Sequence, residues 1–233
     1  MFNSNIRVLF PFKIVAVLLL FIGTVSCKST ESTKSDETAS SSNKSELEEL
    51  YWEKVEQSRM DFTEADVKFM RGMIAHHAQA LIMSRLAPEN NAGAAVQRLA
   101  ARIINAQKDE IASMQQWLRD RDQPAPKIQI EGLDLYIEID NEPFTSYKKM
   151  PGVLSQQKLE ELAKAKGTEF DRLFLKYMIE HHAGAVHMVD NLFGTDGAAQ
   201  DEQAFRLASD IQVDQRTEID RMQLMLDDLP ESG

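Results

Sequence analysis

The sequence predicts an all-α fold: a four-helix bundle made of two helical hairpins, with an extra helix before it and an irregular insert between the hairpins. Three observations predict this. Two blocks of the chain recur at fixed offsets. Apolar residues in those blocks return every three or four positions, the period of one helix face. Capping and stop signals bracket the periodic stretches.

The repeat is the strongest of the three. Residues 66–80 read DVKFMRGMIAHHAQA and residues 171–185 read DRLFLKYMIEHHAGA. Asp66, Phe69, Met73, Ile74, His76, His77, Ala78 and Ala80 recur as Asp171, Phe174, Met178, Ile179, His181, His182, Ala183 and Ala185, all at an offset of 105. A second block follows, in which Arg98, Leu99, Ala100, Ile103, Gln107, Glu110, Ile111, Met114 and Leu118 recur as Arg206, Leu207, Ala208, Ile211, Gln215, Glu218, Ile219, Met222 and Leu226, at an offset of 108. Offsets constant within each block and differing between blocks are what an internal duplication with one altered loop produces. Each copy is a helical hairpin, and two hairpins pack as a four-helix bundle.

The elements follow in order. Residues 1–27 read as a lipoprotein signal peptide: Arg7 and Lys13, then the apolar run from Ile14 to Ile22, then Thr24-Val25-Ser26-Cys27. The run is shorter than the roughly 20 residues a membrane-spanning helix needs. Small residues before the single cysteine resemble a lipobox, which makes Cys27 the expected lipidation site and new N-terminus. A plain secretory signal with an incidental cysteine is the alternative. Residues 28–44 hold Ser, Thr, Glu, Asp and Lys with no apolar side chain larger than alanine, and read as a disordered tether. Residues 45–60 form an accessory amphipathic helix through Leu47, Leu50, Tyr51 and Val55.

Residues 61–121 form the first hairpin. Thr63 with Asp66 has the spacing of a capping box, and Pro88 marks the helix end; the second helix runs from about Ala92 to Arg121. Residues 122–167 are not repeated. There Ile128, Ile130, Leu133, Leu135, Ile137 and Ile139 suggest an extended arm, and Ser155 to Lys166 a helix. The insert could cover one end of the bundle or contribute to a homodimer contact. Residues 168–230 form the second hairpin, with Thr168 as its expected N-cap, a first stop near Phe193-Gly194, and a second helix from about Ala198 to Leu229.

Formal net charge is −11, and removing the signal peptide leaves 24 basic against 37 acidic side chains, a charge of −13. Such a surface lacks the basic patches that nucleic-acid binding needs. A single cysteine permits no disulfide within the chain. No nucleophile elbow, P-loop, dinucleotide fingerprint or zinc-protease motif is present. The chain is therefore expected to bind rather than to catalyse.

The chemistry concentrates in the repeat. All five histidines lie in or beside it: His76, His77, His181, His182 and His187. Residues three and four apart share a helix face, so Met73 lies beside His76 and His77, and Met178 beside His181 and His182. Met70, Met83 and Met188 extend these stripes, with Leu175 in place of the second copy's Met70. Gln107, Glu110, Gln215 and Glu218 fall in the apolar stripe of the paired helices, where burial demands a hydrogen-bond partner. The nearest candidates are the histidines, and a carboxylate or amide on the second ring nitrogen is what a metal-bound imidazole usually has. Thioether sulfur selects Cu(I) or Ag(I) over hard ions. A carboxylate-bridged di-iron site needs glutamate three residues before histidine; Met73, Ile74, Met178, Ile179 and Gly184 stand there instead. The same residues also admit a plain reading, in which methionine fills core and the polar groups fix how the hairpins dock. An enzyme using His77 or His182 as general base with Glu110 or Glu218 ranks last, because no nucleophile or substrate site is evident.

Asp-x-x-Phe-x-x-x-Met-x-x-His-His-x-x-Ala, followed by Gln-x-x-Glu-Ile-x-x-Met, resembles the bacterial family called domain of unknown function 305, over about Phe62 to Leu229. The resemblance implies a ferritin-like bundle, usually exported, in a family that includes periplasmic copper-binding proteins rich in Met and His. It points to Met73, His76, His77, Met178, His181 and His182 as copper ligands. Copper-handling members often carry further Met-rich stretches, and this chain has none outside the bundle.

Overall fold

The computed structural model describes residues 36–59 and 61–230. The expected signal peptide, Cys27 and the first part of the tether lie outside the described residues. The chain divides at Glu46/Leu47 into two units. The chain is mostly helical, with one small sheet.

Helix α1 (Asp36–Arg59) crosses that division. It begins inside the segment whose composition suggests a tether, since Ser, Glu, Lys and Ala all tolerate helix. Leu47, Leu50, Tyr51 and Trp52 on it are exposed. Grouped within two turns, they are too few to make a continuous stripe along the helix.

The bundle is α2 (Glu64–Glu89), α3 (Ala94–Arg119), α5 (Gly167–Phe193) and α6 (Glu202–Asp227). The hairpin pairs α2/α3 and α5/α6 pack against each other through α2 with α5 and α3 with α6. Thr63 closes the expected capping box, with Asp66 N–H donating to its hydroxyl and Asp66 Oδ2 accepting from Thr63 N–H at 2.8 Å. Helix α2 continues one residue past Pro88, whose ring is accommodated in the last turn.

The second copy starts differently. Lys166, not Thr168, is the N-cap of α5, and it makes no side-chain cap bond. Asp171 is thereby released to accept Gly93 N–H at 3.0 Å on both carboxylate oxygens, at the start of α3. Asp66 Oδ1 accepts Ala199 N–H at 2.7 Å, in the loop before α6. Each repeat's aspartate thus ties down the other repeat's loop.

The insert is more ordered than an extended arm. Strands β1 (Lys127–Glu131) and β2 (Asp134–Ile139) form an antiparallel hairpin with Ile128 opposite Ile137, and β3 (Glu142–Pro143) pairs with β2. A 3-10 turn (Ser146–Lys149) and α4 (Gln156–Lys164), capped by Ser155, follow. This insert covers the outer side of α2 rather than an end of the bundle: Ile137 and Tyr147 pack on Ala75 and Ala78. That contact explains why α2 is buried nearly all round and why small residues occupy its outer face.

Two apolar clusters fill the interior. One joins the first half of α2 to the second half of α5 and to Trp117 of α3; the other joins the second half of α2 to the first half of α5. Helices α2 and α5 therefore run antiparallel, and the histidines lie between the clusters.

Candidate metal centre

His76, His77, His181 and His182 are all fully buried. Antiparallel packing of α2 on α5 brings the two motifs together at one place: the His76 and His181 rings lie 3.9 Å apart between centroids. His77 and His182 flank them at 6.4 and 6.2 Å from their neighbours in sequence. The repeat therefore makes one four-imidazole layer. Met73 belongs to the apolar cluster on one side and Met178 to that on the other, each fully buried one turn from its histidine pair. Met70 and Met83 are buried too, Met188 is half-buried, and His187 is exposed outside the layer.

The carboxylates of the second helices close the layer. Glu218 Oε2 lies 2.8 Å from His182 Nε2. Glu110 Oε2 lies 2.7 Å from His77 Nε2, a close contact without aligned hydrogen-bond geometry. Gln107 and Gln215 are buried beside them, and neither Gln107 side-chain atom has a hydrogen-bond partner.

On the opposite side the insert supplies a contact that the motif does not announce. His76 Nε2 donates to the Pro151 carbonyl at 3.0 Å, which leaves Nδ1 as the lone-pair nitrogen. Residues 150–154 are held there by Gln79, which accepts Leu154 N–H at 2.7 Å and donates to Leu154 O at 3.0 Å. In the second repeat the residue equivalent to Gln79 is Gly184. A Cβ on Gly184 would sit 2.1 Å from the Pro151 carbonyl oxygen, so only glycine admits this strap. A glycine inside one helix, facing glutamine in its repeat partner, is the sequence signal that could have located it.

The ring nitrogens are strongly under-satisfied. Nδ1 of His76, His77, His181 and His182 has no hydrogen-bond partner, nor has Nε2 of His77 or His181. The His76 carbonyl is close enough to His181 to favour its protonated form, the smallest of the influences on it. Burial first, and then the charge of His77, lowers the His76 pKa to about 3. Burial, and then His76 and His182, holds His181 well below the usual imidazole range. Both rings are neutral near pH 7, the form in which imidazole ligates metals. At the rim, Asp214 is raised by burial and then by Glu110 and Glu218.

Among the described residues no group of three or more His, Cys, Asp or Glu side chains is placed to hold a metal ion. A metal at this layer would therefore need thioether donors or ring movement. The orphaned nitrogens and the flanking methionines make a donor set that fits a soft ion.

Fold and site together define a four-helix-bundle protein with a buried imidazole layer at its middle. The chain belongs to the family Domain of unknown function (DUF305), whose model matches residues 66–226. No curated protein matches it. Among solved structures it is similar to a DUF305 fragment from Deinococcus radiodurans, at 28% identity and TM-score 0.58, over 71% of this chain and 97% of that one. It is also similar to a DUF305 protein of Streptomyces coelicolor predicted to be secreted, at 25% identity and TM-score 0.57, over 72% and 96%. CopM in its Cu(II)-bound form is 27% identical with TM-score 0.52, over 70% of this chain and 95% of CopM, and CopM has also been solved with Cu(I) and with silver.

Proposed function

We propose that this chain binds Cu(I) or Ag(I) through Met73, His76, His77, Met178, His181 and His182, without catalysis, for metal sequestration or tolerance at the cell envelope. The observation that carries the reading is the layer of four buried imidazoles, with six ring nitrogens lacking hydrogen-bond partners. Leaving a buried polar group unpaired costs about 1–3 kcal/mol, and a protein under selection for stability alone would not retain several together. A soft ion would satisfy nitrogen lone pairs and thioethers at once. The binding of Cu and Ag by CopM supports the choice of ion. The Thr24-Val25-Ser26-Cys27 motif supports export and a lipid anchor at Cys27, as does the predicted secretion of the Streptomyces relative.

The plain alternative is a core network serving a structural or interaction module. The contacts of His77 with Glu110 and of His182 with Glu218 favour it; the unsatisfied nitrogens do not. Anaerobic titration of the purified protein with Cu(I) against a competing chelator separates the two. Stoichiometric uptake that weakens at least about tenfold in His77→Ala/His182→Ala, the loss of about 1.4 kcal/mol of binding, supports the metal reading. No uptake, or uptake unchanged in that variant, removes it.

A further inference from the structure

The buried layer needs a way in, and its two sides differ. The insert side is shut by Pro151 and Gly152 packed on the backbone of His181 and Gly184. On the other side a cavity of about 250 Å³ opens between α3 and α6, lined by Ala106, Gln107, Glu110, Asp214, Gln215 and Glu218, with Arg102 and Arg221 at its edge. Its floor is made of the two carboxylates that touch His77 and His182. We propose that this α3/α6 mouth is the port through which a monovalent soft cation enters and leaves the imidazole layer. The inference rests on the metal reading above.

Three observations carry it. The balance of charge favours a cation: the carboxylates Glu110, Glu218 and Asp214 outnumber the guanidiniums Arg102 and Arg221 in the lining, and Glu110 and Glu218 are the ones that touch the imidazoles. The lining is polar where packing alone would choose leucine. Gln107 is about 1% exposed with both amide atoms unpartnered, and Gln215 Oε1 is likewise orphaned, so dehydrated oxygen donors wait along the path. The port also has a charged guard, because Arg102 Nε lies 3.4 Å from Glu218 Oε1 while the other oxygen of that carboxylate holds His182. The carboxylates draw the cation in, and the displaced proton or water leaves the same way.

A port and a ligand differ in kinetics. A port changes entry and exit together and leaves affinity alone; a ligand changes affinity. The experiment mixes the full chain with Ag(I), added as nitrate in chloride-free buffer, in a stopped-flow instrument with a fluorescent indicator of the free ion. Release is followed separately into excess thiol.

Ala106→Trp, which fills the mouth, is expected to slow entry and exit each by roughly tenfold with Kd unchanged. Asp214→Asn is expected to slow entry about threefold at low ionic strength, an effect that fades as salt screens the charge. Arg102→Gln should speed entry. Entry unchanged in both Ala106→Trp and Asp214→Asn overturns the port, as does a loss of affinity in Asp214→Asn at constant entry rate. If the unaltered chain takes up no Ag(I), the metal reading itself fails and the port with it. Uptake with unaltered entry rates sinks the port alone.

Discussion

Two buried polar assemblies occupy this bundle, and they are built on opposite principles. Near the α3 C-terminus, Asp201 accepts from Trp117 Nε1 at 2.9 Å, from Arg121 Nε at 3.0 Å and from Ala204 N–H at 2.7 Å, while Arg121 Nη1 donates to Trp117 O at 3.1 Å. Arg121 and Asp201 are about 1% exposed and also pair through Arg121 Nη2. Nearly every polar atom there has a partner inside the protein. In the imidazole layer, at comparable burial, six ring nitrogens have none. A satisfied network explains itself as structure. An unsatisfied one, kept in both repeats, calls for something that comes from outside.

The comparison is tested most severely at the satisfied end. Asp201→Ala would strand a buried guanidinium and the Trp117 N–H, and the loss should be about 3–5 kcal/mol of unfolding free energy. Chemical denaturation measures it. A loss under about 1 kcal/mol would mean that the two assemblies do not differ in the way described.

Acid should expose the other end. In the metal-free protein His76 stays neutral down to about pH 3, while an unfolded histidine takes a proton near 6.5. Its contribution is complete above pH 6.5 and is lost as pH falls through that window. At pH 5 the loss from His76 alone is on the order of 2 kcal/mol, with His181 acting in the same direction. Denaturant midpoints at pH 7.5 and pH 5 should separate accordingly, and the separation should shrink in His76→Leu/His181→Leu. An equal separation in both proteins would assign the acid sensitivity to carboxylates.

Much of this was legible in the sequence. The 105 and 108 offsets define the hairpins, and Thr63-x-x-Asp66 predicts the cap that forms. Glu110 and Glu218, read as polar intruders in apolar stripes, do stand against His77 and His182. Other features depend on contacts between distant segments, which local periodicity does not encode. Asp171 has the spacing of a capping residue, yet the turn at Gly167 (φ +56) starts the helix two residues early and sends its carboxylate to Gly93. The strap at Pro151 acts through a backbone carbonyl, which has no residue signature; only Gly184 betrays it. The meeting of both motifs in one layer follows from α2 and α5 being antiparallel, and the repeat spacing alone is compatible with two separate sites.

The most direct test uses His181, which shares with His77 the property that neither ring nitrogen is in an aligned hydrogen bond. Without metal, His181→Leu should leave stability unchanged or raise it by up to about 1 kcal/mol, because an unsatisfied polar group gives way to an apolar one. With Ag(I) at about a hundred times Kd, the unaltered protein should gain about 2.7 kcal/mol and unfold at higher temperature, and His181→Leu should gain little. Thermal unfolding of both proteins with and without Ag(I) reads all four values. A destabilised His181→Leu with no Ag(I) response in either protein would show the imidazole layer to be structural.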